Sequence, residues 1–220
     1  MGYQHRFQDG TDLDLPLGKV VCVGRNYADH AAELNNPIPT EPMLFIKPAT
    51  SVVDLALPFK VPEGLGSVHF ETEMSILIGE TLSSSNESEA AKAIAGVGLG
   101  LDLTLRDLQS KLKEKGHPWE KAKAFDGSCP LSGFVKRDQI ADLQDVEIKL
   151  TVNGEVRQHG NSSHMLNQVL PLISYISQFF TLLPGDVVLT GTPAGVGPVL
   201  PGDKLQVELG DLIAVTTEAE

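Results

Sequence analysis

Two glutamates separated by one residue constrain the fold of this chain more than any other feature. Glu71 and Glu73 lie in residues 68–78, a segment whose apolar residues predict a β-strand. Residues i and i+2 of a strand point to the same face, so the two carboxylates are predicted to lie side by side. Burying such like charges unpaired costs on the order of several kcal/mol. We therefore expect the fold to place a positive group between them.

A third carboxylate interrupts an almost wholly apolar run. Asp102 stands between two leucines in residues 97–103, a context that is difficult to explain on a surface. With Asp102 alongside Glu71 and Glu73, the three side chains form an all-oxygen site suited to a hard divalent cation. Three alternatives stay open: a solvated strand face for the glutamates, a helix cap for Asp102, and a zinc-type His/Glu/Glu set that includes His69.

The composition excludes several classes of protein. The chain has 220 residues, 41% hydrophobic and 21% charged, which suits a folded domain. Its net charge of −12 disfavours a nucleic-acid partner. The longest uncharged stretch, residues 165–185, contains too many polar residues for a membrane span.

The cysteines and the start of the chain predict a cytoplasmic location. Cys22 and Cys129 are far apart and form no Cys-x-x-Cys pair, so we expect two free thiols in a reducing compartment. Residues 1–6 contain no apolar signal core.

Strand and turn signals dominate the chain. Leu-Pro-Gly-Asp occurs at 183–186 and again at 200–203, and each copy predicts a type II turn that starts a strand. Asn153-Gly154 predicts a hairpin turn. The predicted strands are residues 19–23, 44–46, 68–78, 147–152, 187–189 and 205–209.

Helices are fewer and do not alternate regularly with the strands. They are predicted at residues 27–34, 88–95, 103–115 and 165–180. Pro171 predicts either a kink in the last helix or the start of a second one. This pattern indicates an α+β domain that is predominantly β. Residues 35–42 have no packing pattern and are predicted to form a lid loop.

The first predicted helix carries a candidate general base. His30 and Glu33 are spaced i, i+3 and can touch, and a carboxylate beside an imidazole orients it and raises its basicity. The alternative is an ordinary pair on a helix surface.

Cations and a glycine-rich loop complete the candidates. A substrate carboxylate would need cationic partners, preferably a bidentate arginine, although each cation can also be a plain surface charge. Residues 191–197 lack the Lys-Ser/Thr ending of a phosphate-binding loop and are predicted to present Thr192 and backbone N–H groups to a small ligand. The candidate cations are Arg25, Lys47, Arg106 and Lys123.

Taken together, six segments resemble the fumarylacetoacetate hydrolase family, near its short acylpyruvase-like members. The segments are residues 23–27 with His30, 45–48, 69–73, 102–107, 121–126 and 189–193. The match runs from about residue 19 to residue 207. The resemblance implies a mixed β-sandwich roll of the family type, usually a homodimer. It also implies one catalytic domain over residues 1–220, without a separate N-terminal domain.

The resemblance assigns roles to individual residues. It implies Mg²⁺ or Mn²⁺ at the counterparts of Glu71, Glu73 and Asp102. His30 and Glu33 resemble the water-activating dyad of the family, carried on a lid. Lys47 is a weaker match, near the site. Contacts to substrate or reaction oxygens are implied for Arg25, Arg106, Gln109, Lys123 and Thr192.

The activity that the resemblance implies is metal-dependent hydrolysis of a carbon–carbon bond in 2,4-diketo acids such as acylpyruvates or fumarylpyruvate. His30, oriented by Glu33, would deprotonate water for attack on C4, and pyruvate would leave as a metal-held enolate beside Lys123. The dyad favours hydrolysis, because decarboxylation needs no activated water. The alternatives are an oxaloacetate decarboxylase or tautomerase, an isomerase of the 5-carboxymethyl-2-hydroxymuconate type, and a non-catalytic metal-dependent binding protein.

Overall fold

The computed structural model describes residues 3–34 and 36–220. Three residues lie outside the described part: Met1, Gly2 and Asn35. The first two belong to the segment predicted to contain no signal core, and Asn35 begins the predicted lid loop. The strands are β1 (Val20–Gly24), β2 (Met43–Lys47), β3 (Val52–Asp54), β4 (Val68–Phe70), β5 (Thr72–Ile78), β6 (Ile94–Leu101), β7 (Thr104–Leu105), β8 (Cys129–Leu131), β9 (Val135–Lys136), β10 (Glu147–Val152), β11 (Glu155–Asn161), β12 (Val187–Leu189), β13 (Gly197–Pro198), β14 (Lys204–Leu209) and β15 (Ile213–Glu218). The α-helices are α1 (Ala28–Glu33), α2 (Glu87–Ala93), α3 (Arg106–Glu114), α4 (Glu120–Lys123) and α5 (Val169–Phe179).

The main layer is an eight-stranded mixed sheet in the order β2-β1-β12-β5-β6-β8-β3, with β9 also pairing with β6. Strand β1 runs parallel to β12 and β3 runs parallel to β8, whereas β5 is antiparallel to both of its neighbours. A four-stranded sheet, β11-β10-β14-β15, packs through β10 and β14 against β5 and β6. A small sheet, β13-β4-β7, completes the fold. The prediction of a predominantly β, α+β domain is confirmed.

The turn predictions are confirmed by backbone angles. Asn153 and Gly154 have φ values of 51° and 85°, as a type I′ hairpin turn requires. Gly185 and Gly202 have φ values of 91° and 90° at the third position of the two Pro-Gly turns. A side chain at Gly185 would also collide with the Pro16 carbonyl oxygen, because a Cβ there would lie 1.8 Å from it.

Residues 68–78 do not form the single strand that the sequence predicts. The strand is broken at Glu71, so β4 joins the small sheet and β5 joins the main sheet. The Glu71 carbonyl oxygen accepts a hydrogen bond from the Asp102 N–H at 2.8 Å instead of pairing within a ladder. The break thus ties the end of β4 to the end of β6.

Two helices start later than the sequence predicts. Helix α3 begins at Arg106, because residues 104–105 pair with β4 as strand β7. Asp102 therefore does not cap this helix, and the capping alternative is wrong. Helix α5 begins at Val169, which puts Pro171 in the first turn, where a missing N–H needs no partner.

Helix α2 is short and strongly capped. The Asn86 side chain accepts from the Glu89 N–H at 3.1 Å, and the Glu89 carboxylate accepts from the Asn86 N–H at 2.8 Å. Helix α2 packs against α5. Within the described residues, no helix has both the length and the apolar character needed to cross a membrane.

Candidate metal centre and adjoining cavity

Three buried carboxylates converge where β4, β5 and β6 end. Glu73 lies opposite Gly100 in the β5–β6 ladder, and Asp102 follows β6 directly. One oxygen of each of Glu71, Glu73 and Asp102 lies within 4.8 Å of the others, and no more than 5% of any of the three residues is exposed. The structure therefore brings the three predicted ligands together, although Glu71 lies in a strand break and not on a shared strand face.

Cationic side chains surround two of these carboxylates. Lys123 Nζ lies 2.8 Å from Glu71 Oε2 and 2.5 Å from Asp102 Oδ2. Lys47 Nζ lies 2.8 Å from Asp102 Oδ1, and Arg106 Nη2 lies 2.5 Å from Glu71 Oε1. Glu71 and Asp102 each have two basic partners, so their negative charges are compensated.

Glu73 has no such compensation among the described residues. Its Oε2 atom accepts a hydrogen bond from the Gly191 N–H at 2.6 Å, and no described cation pairs with it. Burial and the charges of Asp102 and Glu71 raise the pKa of Glu73 well above its usual range. At Glu71, burial opposes ionisation, but Lys123 and Arg106 outweigh it and lower its pKa.

The residues present fit a hard divalent cation. A cation near Glu73 would supply the missing positive charge, and three carboxylates are the donor set that Mg²⁺ and Mn²⁺ prefer. His69 does not belong to the cluster that the described residues form, so the zinc-type set is not supported. Burial and the charge of Arg106 lower the pKa of His69.

Helix α1 carries the predicted dyad. The His30 imidazole is buried, and its Nδ1 atom lies 3.3 Å from Glu33 Oε2. The Gly195 N–H donates to the same carboxylate at 3.1 Å and 3.2 Å, which fixes Glu33. No partner of His30 Nε2 is found in the part of the chain that the structure describes. The ring is therefore oriented through Nδ1, and it lines the cavity that is described next.

A cavity of about 40 Å³ adjoins Glu71; Glu73 and Asp102 lie behind it and are not in the described lining. This volume holds a few water-sized molecules at most. Leu34 and Asn36, which flank the undescribed Asn35, form part of its wall. Six of the predicted site residues line the cavity: Arg25, His30, Glu71, Arg106, Gln109 and Lys123.

Thr192, a predicted substrate contact, is not among the described residues that line the cavity. Its hydroxyl donates to the Thr72 carbonyl oxygen at 2.8 Å and accepts from Gln158 Nε2 at 2.7 Å. These bonds fix the glycine-rich loop to β5. Contact between Thr192 and a ligand stays a prediction.

Other site residues escaped the sequence analysis. Phe45 and Trp119 line the cavity with ring centroids 6.2 Å apart, and Lys123 Nζ lies 5.2 Å from the centroid of Phe45. Lys113 lines it too, four residues after Gln109 on α3, and this helical spacing could have revealed it. No pattern marks Trp119, which comes from an irregular segment.

Lys47, a weaker candidate, proves to be deeply built into the site. Its side chain is fully buried and donates to the carbonyl oxygens of Lys123 and Ser128 as well as facing Asp102. Lys47 therefore ties Asp102 to the end of α4. It does not line the cavity.

Comparison with known sequences places these features in context. The family model described as fumarylacetoacetate (FAA) hydrolase C-terminal matches residues 19–219. Oxaloacetate tautomerase YcgM of Escherichia coli is 55% identical over 206 residues, which cover 93% of this chain and 94% of that protein. The mitochondrial oxaloacetate decarboxylase of Dictyostelium discoideum is 44% identical over 189 residues, covering 86% and 87%.

Solved structures with the same fold include enzymes of other reaction types. Fumarylpyruvate hydrolase from Pseudomonas aeruginosa, in complex with Mn²⁺ and pyruvate, aligns with a TM-score of 0.92 at 36% identity, covering 99% of this chain and 95% of that one. The 5-carboxymethyl-2-hydroxymuconate delta-isomerase from Mycobacterium smegmatis aligns with a TM-score of 0.81 at 36% identity, covering 93% and 79%.

Proposed function

Because the chain belongs to the fumarylacetoacetate hydrolase family, we propose that it is a divalent-metal-dependent tautomerase that interconverts the enol and keto forms of oxaloacetate. The observation that carries this proposal is the 55% identity with an oxaloacetate tautomerase over nearly the whole of both chains. The expected hydrolysis of acylpyruvates has weaker support, since the hydrolase structure matches at 36% identity. The proposal therefore takes the tautomerase alternative over the hydrolase.

The acidic cluster suits a 2-oxo acid. We propose that Glu71, Glu73 and Asp102 hold Mg²⁺ or Mn²⁺, and the Mn²⁺ in the related hydrolase supports a divalent ion. When bound, such an ion supplies Lewis-acid stabilisation of negative charge on the C2 oxygen. Enolisation places its developing charge on that oxygen.

Lys123 and Arg106 position the acid in this proposal. Burial opposes the charge of Lys123, but Asp102 and Glu71 outweigh it and raise its pKa, so the ammonium group stays protonated and can stabilise charge on the C2 oxygen. Arg106 is aimed by its bonds to Glu71 and to Gln109 Oε1, the latter at 2.6 Å. Its buried Nε has no partner among the described residues, which leaves a donor for the C1 carboxylate.

His30 moves the proton at C3. Its Nδ1 is oriented by Glu33, so Nε2 is the atom that takes a proton from C3 of the keto form and delivers it to the C2 oxygen to give the enol; in the reverse direction it takes the C2 hydroxyl proton and delivers it to C3. A cavity of about 40 Å³ excludes most water around this step. Proton movement between C3 and the C2 oxygen needs no additional reactant and no room for a leaving group.

Hydrolysis is the second candidate, and the same dyad favours it. An oriented imidazole can equally activate water, and the fumarylpyruvate hydrolase has the same fold. Loss of CO₂ from oxaloacetate is a third outcome of the same stabilised enolate. The geometry of the described residues is compatible with each.

One assay separates these reactions. Oxaloacetate enol absorbance, pyruvate release and acylpyruvate absorbance are followed with Mg²⁺ and with EDTA. We expect rapid, EDTA-sensitive loss of the enol with pyruvate release at the uncatalysed rate. Fast pyruvate release from oxaloacetate would identify a decarboxylase, and faster turnover of an acylpyruvate would identify a hydrolase; either result would overturn the proposal.

We propose a small 2-oxo acid as the binding partner. The homodimer and the cytoplasmic location remain predictions. The Dictyostelium relative is named as mitochondrial, whereas the name of the E. coli relative states no location. Light scattering of the purified protein tests the dimer.

A further inference from the structure

We propose that Lys113 and Arg25 form a second anion subsite, which binds the distal carboxylate of a dicarboxylate substrate and makes Lys113 a specificity-determining residue. The inference rests on the proposed function, because it assumes that the 2-oxo acid end of the substrate lies at the acidic cluster. It adds the residues that would make the site prefer a diacid such as oxaloacetate over an acid with a neutral tail.

The first observation is a difference between two pairs of cations that line one cavity. Lys123 and Arg106 face carboxylates at 2.8 Å or less. Arg25 and Lys113 line the same cavity, but neither has a carboxylate within 4 Å in residues 3–34 and 36–220. The cavity therefore has positive charge on this side that the described residues do not compensate.

The second observation is what these two cations contact instead. Lys113 Nζ donates to Asn36 Oδ1 at 3.0 Å, and Arg25 Nη1 donates to the Pro37 carbonyl oxygen at 3.5 Å. Both acceptors are neutral oxygens of the segment that follows α1. A carboxylate carries a full negative charge that these neutral oxygens lack, so a substrate carboxylate would attract both cations more strongly and replace these acceptors.

Electrostatics point the same way. More than a third of Lys113 is exposed, yet partial desolvation, followed by the charges of Arg25 and Arg106, lowers its pKa, and burial lowers the pKa of Arg25. A bound dianion would relieve this repulsion among the three cations.

The third observation is a strained backbone at Arg25. Its φ is 58°, in the left-handed region that favours glycine and costs other residues about 1–2 kcal/mol. Such strain is typical of ligand clamps. An arginine held in this conformation at the cavity indicates that its side chain is used there.

The order of residues along α3 matches an extended diacid. Arg106, Gln109 and Lys113 are spaced by three and four residues, so they lie along one face of the helix. Arg106 bonds to Glu71 of the acidic cluster, whereas Lys113 reaches the wall segment at Asn36. Arg106 and Lys113 are about 10 Å apart along the helix axis, so their long side chains must converge for a four-carbon diacid to reach both.

The test compares oxaloacetate with its 4-methyl ester, which has the same 2-oxo acid end and a neutral tail. K113M is measured against K111M, a matched change on an exposed lysine of the same helix that does not line the cavity. We expect the ratio of kcat/KM for diacid over ester to fall about tenfold in K113M, through KM, and to stay at the wild-type value in K111M. K113R keeps the positive charge, so we expect it to retain most of the preference for the diacid over the ester.

Calorimetric titration of both compounds into the Mg²⁺-loaded protein separates the two proposals. If wild type turns over oxaloacetate but K113M keeps the diacid preference, the subsite is wrong and the proposed function stands. If wild type turns over neither compound yet K113M binds oxaloacetate about tenfold more weakly than wild type does, the proposed function is wrong and the subsite stands. An equal loss for diacid and ester in K113M would also overturn the subsite.

Discussion

The two sides of the cavity are built in opposite ways. The acidic side, where Glu71 lines the cavity with Glu73 and Asp102 behind it, is buried at the ends of strands and is held by lysines, an arginine and the Gly191 N–H. The opposite side is α1 with the segment that follows it. This helix has six residues, its Tyr27 N-cap makes no side-chain cap, and residues 36–42 are at best half-buried.

This difference teaches where each property of the enzyme resides. The hydrolase and isomerase structures have the same fold as this chain, yet their reactions differ. A rigid acidic side explains what they could share, a site for a hard cation. A thinly supported side that carries His30 explains how the reaction and the substrate can change without a change of fold. Each prediction below tests one side against the other.

The largest expected effect is on the α1 side. His30→Asn removes the proton carrier, so kcat should fall about 10²–10⁴-fold. Calorimetry should give a Mn²⁺ Kd close to wild type, because His30 is not among the clustered carboxylates. A large loss of Mn²⁺ affinity would mean that the two sides are not separate.

A change on the acidic side should lower Mn²⁺ affinity, which the change at His30 should leave unaltered. Asp102→Asn keeps the shape but removes one ligand charge, and we expect Mn²⁺ affinity to fall at least about a hundredfold, with loss of activity. D107N is the matched control: Asp107 accepts from the Ser67 N–H at 3.0 Å and is not part of the cluster. If D102N bound Mn²⁺ with wild-type affinity, Asp102 would not be a ligand of the metal.

A smaller effect is expected when the imidazole loses its orienting partner. Glu33→Gln keeps an acceptor for Gly195 but removes the charge beside His30, so kcat should fall roughly tenfold, the low end for hydrogen-bond partners of functional histidines. Mn²⁺ affinity should not change. An unaltered kcat with a raised KM would show that Glu33 acts on the lid and not on the imidazole.

The smallest effect concerns stability without metal. The raised pKa of Glu73 means that the folded protein holds this proton more tightly than the unfolded chain does. Stability in EDTA should therefore fall as pH rises from about 4.3, the pKa of an unperturbed glutamate, through the raised folded value. Glu73→Gln lacks this charge and should be more stable than wild type at neutral pH by about 1–3 kcal/mol.

Thermal unfolding in EDTA and in Mg²⁺ checks this expectation. For a chain of this length, each kcal/mol shifts Tm by about 2–4 °C. E73Q should have a higher Tm than wild type in EDTA and should lose the Tm rise that Mg²⁺ gives wild type. An E73Q protein less stable than wild type in EDTA would mean that Glu73 is already neutralised in the fold.

The sequence revealed local chemistry and missed what distant segments do together. The turns at Gly185 and Asn153-Gly154 depend on neighbouring residues and were predicted correctly. The break at Glu71 was not, because it depends on Asp102, which lies 31 residues further along the chain. The order of the main sheet depends on pairings such as β1 with β12, for which no local signal exists.

The same distinction applies to the site. The three carboxylates stood out because each is a charge in an apolar context. The hydrogen bonds that hold the start of α1 did not stand out. Asn26 donates to the Thr190 carbonyl oxygen at 2.8 Å and accepts from the Asn167 N–H at 2.7 Å, and both partners lie more than 140 positions further along the chain. An asparagine before a short helix carries no sign of such a role.

One loop touches both sides of the cavity. Between β12 and β13, the Gly191 N–H donates to Glu73, and four residues later the Gly195 N–H donates to Glu33. A short stretch of backbone therefore contacts both a candidate cation ligand and the helix that carries His30. Any linkage between ion binding and lid closure is reciprocal. If the predicted lid closes more readily when an ion is bound, the ion must by the same factor bind more tightly when the lid is closed.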